Sequence, residues 1–86
     1  MNYYWFDIET YYRTTAHLTI EQDMAYRRLL DLYYQTEKPI PLDMMRVADE
    51  IRIVPSVIES VLNEFFVRHE DGWHRSPADQ ARERGE

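Results

Sequence analysis

The order of local signals along the chain predicts a mainly α-helical fold with one small β-hairpin, arranged as a winged helix-turn-helix. Three observations predict it. A capped amphipathic helix begins after Thr19. Two shorter helical patterns follow, separated only by Arg52, Ile53 and Val54. An Asp71-Gly72 pair, the signal of a type I′ hairpin turn, then stands between two short runs that no longer keep the helical period.

The N-terminal stretch is dense in aromatics. Residues 1 to 38 hold nine of the twelve: Tyr3, Tyr4, Trp5, Phe6, Tyr11, Tyr12, Tyr26, Tyr33 and Tyr34. Asp7 to Thr14 are expected to form one or two helical turns that pack Tyr11 and Tyr12 on the core. Thr10, Thr14 and Thr15 make that helix weak on propensity. Thr19-Ile20-Glu21-Gln22 is a capping box, and Glu21 and Asp23 favour the positive end of the helix dipole. Met24, Ala25, Leu29, Leu32 and Tyr33 then form a stripe that Tyr26, Leu30 and Tyr34 widen, as in a helix touched from two sides. Lys38-Pro39-Ile40-Pro41 ends it. Ile40 is the candidate for a short first strand.

A second helix follows Asp43, with Met44, Val47, Ala48 and Ile51 on one face. A third runs from Pro55 to Phe66 on Ile58, Val61, Leu62 and Phe65. Its start has two candidates. Proline at the first position makes Val54 the cap, and Ser56-Val57-Ile58-Glu59 offers a competing capping box. Phe66 to Glu70 and Trp73 to Arg75 are the expected hairpin strands. The domain spans residues 1–75, including the aromatic segment, and 76–86 form a polar tail or frayed helix.

Composition narrows the function. The chain has 86 residues, 44% hydrophobic, enough for one small domain. It has no cysteine, so disulfides, thiol nucleophiles and thiolate zinc sites are excluded. No apolar run approaches the roughly 20 residues of a membrane span. Two glycines leave no glycine-rich phosphate loop. The net charge of −6 argues against coating nucleic acid by bulk electrostatics, though not against a local basic patch.

Several runs taken together resemble a known family. They are Trp5-Phe6, Thr15-Ala16-His17-Leu18-Thr19, Ala25 through Tyr34, and Glu37-Lys38-Pro39-Ile40-Pro41-Leu42-Asp43. The likeness continues through Val61 to Phe66 and the Asp71-Gly72-Trp73 hairpin. The sequence resembles the YdaU-like family of phage and prophage proteins, a domain of unassigned function at the N-terminus of replication-initiator-like proteins. The resemblance implies a winged helix, a bacterial cytoplasmic setting and replication-associated DNA binding. Many members carry a serine cap where this chain has Val54.

Candidate sites follow from the expected architecture. The second helix of a helix-turn-helix reads base edges. Here its exposed positions offer Ser56, Glu59, Ser60, Asn63 and Glu64, of which none is basic; Asn63 is the candidate base reader. The plainer reading is a core helix with a solvated acidic face. On the wing, Arg68, His69, His74 and Arg75 are candidates to grip a phosphate backbone, with Arg46 and Arg52 extending the patch. Alternatively, Arg68 and Arg75 are solvated cross-strand neighbours paired with Glu70 or tail carboxylates. Arg28 is expected to cover apolar surface and pair with Asp31 or Asp23.

Tyr3, Tyr4, Trp5, Phe6, Tyr11 and Tyr12, with the acidic Glu59 and Glu64, are the partner-binding candidates. Packing of the aromatics on their own domain is the alternative. His17, His69 and His74 show no third ligand, so no metal is expected. No residue set points to catalysis or to a cofactor. Two functions remain open: a DNA-binding winged helix of phage replication, or an acidic module that binds a host or phage protein or a second copy of itself. No membrane partner is expected.

Overall fold

The computed structural model describes residues 8–76. In chain order these form α1 (Ile8–Thr15), α2 (Ile20–Thr36), α3 (Met44–Ile51), α4 (Pro55–Phe65), β1 (Phe66–His69) and β2 (Gly72–Arg75). This is the winged-helix arrangement the sequence predicts. The polar tail expected beyond Ser76, with its frayed helix, lies outside the described residues.

α1 does form two turns, but Tyr12 is 68% exposed and does not pack on the core. The helical period explains the correction. Tyr12 shares a face with Glu9 and Arg13, which make an i,i+4 ion pair at 2.6 Å in solvent.

α2 begins with both halves of the capping box in place. The Thr19 hydroxyl accepts from the Gln22 N–H at 3.1 Å, and the Gln22 side chain accepts from the Thr19 N–H at 3.0 Å. The Gln22 amide also donates to the Ser60 hydroxyl at 3.2 Å, which ties the cap to α4. Thr19→Ala should therefore cost about 1 kcal/mol, read as a lower urea midpoint with an unchanged slope. The helix stops at Glu37, which takes a left-handed conformation (φ 57°) and donates its N–H to the Tyr33 carbonyl at 3.0 Å.

Asp43 caps α3, accepting from the Met45 and Arg46 N–H groups at 3.1 and 3.3 Å. Arg28 does not form its expected carboxylate pair. Its guanidinium donates to the Ile51 carbonyl at 2.6 Å and holds the C-terminal end of α3 against α2. Between the two candidate starts of α4, the structure takes proline at the first turn. The Val54 carbonyl accepts from Val57 and Ile58, and no side chain caps the end.

The core is one cluster. Leu29 and Leu30 of α2, Val47 of α3, and Ile58, Val61 and Leu62 of α4 are almost wholly buried, with Ile40 among them. Tyr26 stacks on Phe65 at 4.4 Å between ring centres. α4 sits against both α2 and α3 and runs without a loop into β1, which fixes where the wing leaves the helices.

The hairpin departs from expectation in its turn. β1 and β2 pair as Phe66↔Arg75, Val67↔His74, Arg68↔Trp73 and His69↔Gly72. The connecting pair is therefore Glu70-Asp71, and neither has a positive φ, so the turn is not type I′. Gly72 lies inside β2 with φ 137°, and its backbone passes against Ile40. Ile40 supplies the expected first strand as a single bridge: its N–H donates to the Trp73 carbonyl at 2.9 Å, and its carbonyl accepts from the Trp73 N–H at 2.8 Å.

Candidate functional site

Strand alternation sorts the wing into two faces. Phe66, Arg68, Trp73 and Arg75 share one face of the hairpin, and Val67, His69 and His74 the other. The register also shows that Arg68 and Arg75 are not cross-strand neighbours, because Arg68 faces Trp73 and Arg75 faces Phe66.

The same register turns Arg75 inward. It is 3% exposed, and its guanidinium donates to the Tyr34 and Tyr26 hydroxyls at 3.1 and 3.3 Å. The Tyr26, Tyr34 and Phe66 rings surround it, each with its centre 5.8 to 5.9 Å away. Arg75 is a core cation and does not belong to a phosphate-gripping surface. The physical reason is position: Arg75 stands at an inward-facing strand position, where two tyrosine hydroxyls accept from its terminal nitrogens and the surrounding rings offer cation–π contacts.

His74 is half-buried and engaged locally. Its Nε2 lies 2.9 Å from the Asp71 carboxylate, and its ring meets His69 edge-on at 4.9 Å. The His74 hydrogen bond holds the Asp71 carboxyl below its ordinary value. Such a lowered carboxyl favours the folded turn above the unfolded aspartate value, and that preference fades as pH falls through the folded value. His69 stays exposed on the outer face.

α4 divides its polar side chains between two directions. Ser60 and Glu64 serve the fold. Ser60 accepts from Gln22, and Glu64 contacts His17 Nε2 across the α1–α2 connection. Glu59 and Asn63, one turn apart, face the wing. With Arg68 they edge a groove of about 540 Å³ whose apolar lining includes Leu42, Met44 and Trp73.

The structure thus brings Glu59, Asn63 and Arg68 together and leaves other expected members elsewhere. Arg46 lies exposed on α3, 3.4 Å from Glu50. Arg52 is the left-handed cap of α3 (φ 59°) and borders a separate cleft with Arg28 and Glu50. Neither extends the groove. Tyr3, Tyr4, Trp5 and Phe6 lie outside the described residues, as does the Tyr11 side chain. Among the described residues, no three histidines or carboxylates converge as metal ligands.

Sequence reasoning missed Leu42, Met44, Val67 and Trp73 as groove residues, and His17 as the contact of Glu64. Leu42 and Val67 carried a usable signal, being apolar residues outside any helical stripe. His17 and Glu64 are 47 residues apart, and nothing local links them.

No helix among the described residues is long and apolar enough to cross a membrane. A family model described as "Protein of unknown function (DUF1376)" matches residues 2–82. No curated protein and no solved structure matches the chain.

Proposed function

The chain belongs to this family of unknown function, and since the family's description assigns no activity, we propose from the geometry that the domain is a protein-interaction module. Its docking surface is the groove between α4 and the hairpin, and it does not itself hold DNA. One observation carries this reading: the burial of Arg75. The wing has two arginines, and that burial leaves Arg68 alone to meet a phosphate.

Magnitudes favour a protein partner. Duplex DNA presents one charge per roughly 1.7 Å of axis, and affinity grows with each phosphate neutralised. A single arginine facing Glu59 is a weak clamp, and a chain of net charge −6 adds repulsion. The groove instead offers the mixture that protein contacts use, apolar side chains such as Leu42 and Trp73 beside polar groups. The resemblance to YdaU-like proteins supplies the setting of the proposal. It is phage or prophage replication or regulation in a bacterial cytoplasm, with a host or phage protein or a second copy as partner.

A second reading, DNA contact, is favoured by one observation: among the described residues, Arg68 has no ion pair. One titration separates the two. Fluorescence anisotropy of labelled duplex and single-stranded DNA at about 50 and 200 mM salt should show no binding. Micromolar binding at the lower salt, with a log–log salt slope near −3, would replace the module by a DNA-binding domain using Arg68, Arg46 and Arg52.

A further inference from the structure

The groove has oppositely charged walls. Glu59 stands on α4 and Arg68 on β1; both are exposed, and among the described residues neither makes an ion pair. Between them Leu42, Met44 and Trp73 line the groove, and Leu42, 38% exposed, reaches the surface. A surface with a cation on one side of an apolar strip and a carboxylate on the other is complementary to its own copy rotated by 180°. That is the requirement for an isologous contact, in which residue i meets residue j and j meets i.

We propose that this groove is the interface of a twofold homodimer, with Arg68 of each copy paired to Glu59 of the other. The inference rests on the reading of the groove as a protein-docking surface and names its partner. Net charge opposes it, because each copy carries −6. At 0.15 M salt, however, the screening length is about 8 Å. Charges spread over a body 24 to 33 Å across are then largely screened, while groups in direct contact are not. The groups brought into direct contact therefore set the balance at that salt.

Sedimentation velocity on the full chain at 0.15 M salt tests this, over roughly 10 µM to 1 mM, the range suited to a weak interface. The wild type should move from the mass of one chain to that of two. Glu59→Arg and Arg68→Glu should each weaken the dimer about tenfold or more, because each reversal acts twice per dimer. The double reversal should recover wild-type association to within about threefold, and a wild-type circular-dichroism spectrum from each single variant shows that it folds. A wild-type chain that keeps the mass of one copy throughout overturns the proposal, as does a double reversal no tighter than the singles. The DNA titration distinguishes the failures. A monomer that ignores DNA overturns self-pairing alone, whereas salt-sensitive DNA binding overturns the module reading and the dimer with it.

Discussion

Gly72→Ala should destabilise the domain by about 3 kcal/mol, the largest effect expected of a single methyl group in this molecule. A Cβ at position 72 would stand 2.5 Å from the Ile40 carbonyl oxygen and 2.9 Å from the Pro39 Cβ. Neither neighbour is the loose end of a side chain. One is backbone held by the reciprocal Ile40–Trp73 bonds, and the other is a proline ring atom. The backbone at φ 137° adds its own cost for an L-residue, of order 1–3 kcal/mol. Relief requires the wing to move off Ile40, which breaks two hydrogen bonds at about 1 kcal/mol each. For a domain of this size the loss corresponds to a fall of about 15 °C in the melting midpoint. A calorimetric midpoint within a few degrees of wild type would mean that the Ile40–Gly72 contact is not what seats the wing.

Arg75→Ala should cost about 2–4 kcal/mol, whereas Arg68→Ala, on the same face of the hairpin but on the other strand, should stay within about 0.5 kcal/mol. The difference lies in burial. Removing Arg75 takes donors from the Tyr26 and Tyr34 hydroxyls and empties the space between three rings. Arg75→Met separates the contributions, because it keeps the apolar stem and loses the fork. It should recover part of the loss. Arg75→Lys should recover less than half, since an ammonium cannot match a planar fork aimed at two hydroxyls. Urea denaturation of the four variants measures the series. An Arg75→Ala variant as stable as Arg68→Ala would return Arg75 to the solvent side of the wing. The same argument governs any binding study: lost DNA binding in an Arg75 variant would report a damaged core as readily as a lost contact.

The helices were readable because their signals are local. Thr19 with Gln22, Asp43, and Pro39 each act within one turn of their own position, so spacing alone predicted the caps and the stops. The apolar stripes of α2 and α4 likewise named Leu29, Ile58 and Leu62 as core. The hairpin was half readable. Asp71-Gly72 announced a reversal, but the glycine is needed for the approach of Ile40, 32 positions earlier, and the turn itself falls on Glu70-Asp71. The placement of the wing's charges was the least readable. Arg68 and Arg75 have the same chemistry and stand seven residues apart, and the sequence holds no local mark that separates a surface arginine from a buried one.

By itself the sequence determined the order of elements, the caps, the apolar faces and an acidic surface, because each depends on residues a few positions apart. Only the tertiary structure decided which charges face outward. Arg75 meets Tyr34 and Tyr26 across 41 and 49 residues, and Glu64 meets His17 across 47. Those contacts exist only once α4 and the wing have closed on α2. They removed one cation from the surface and left Glu59, Asn63 and Arg68 around one groove.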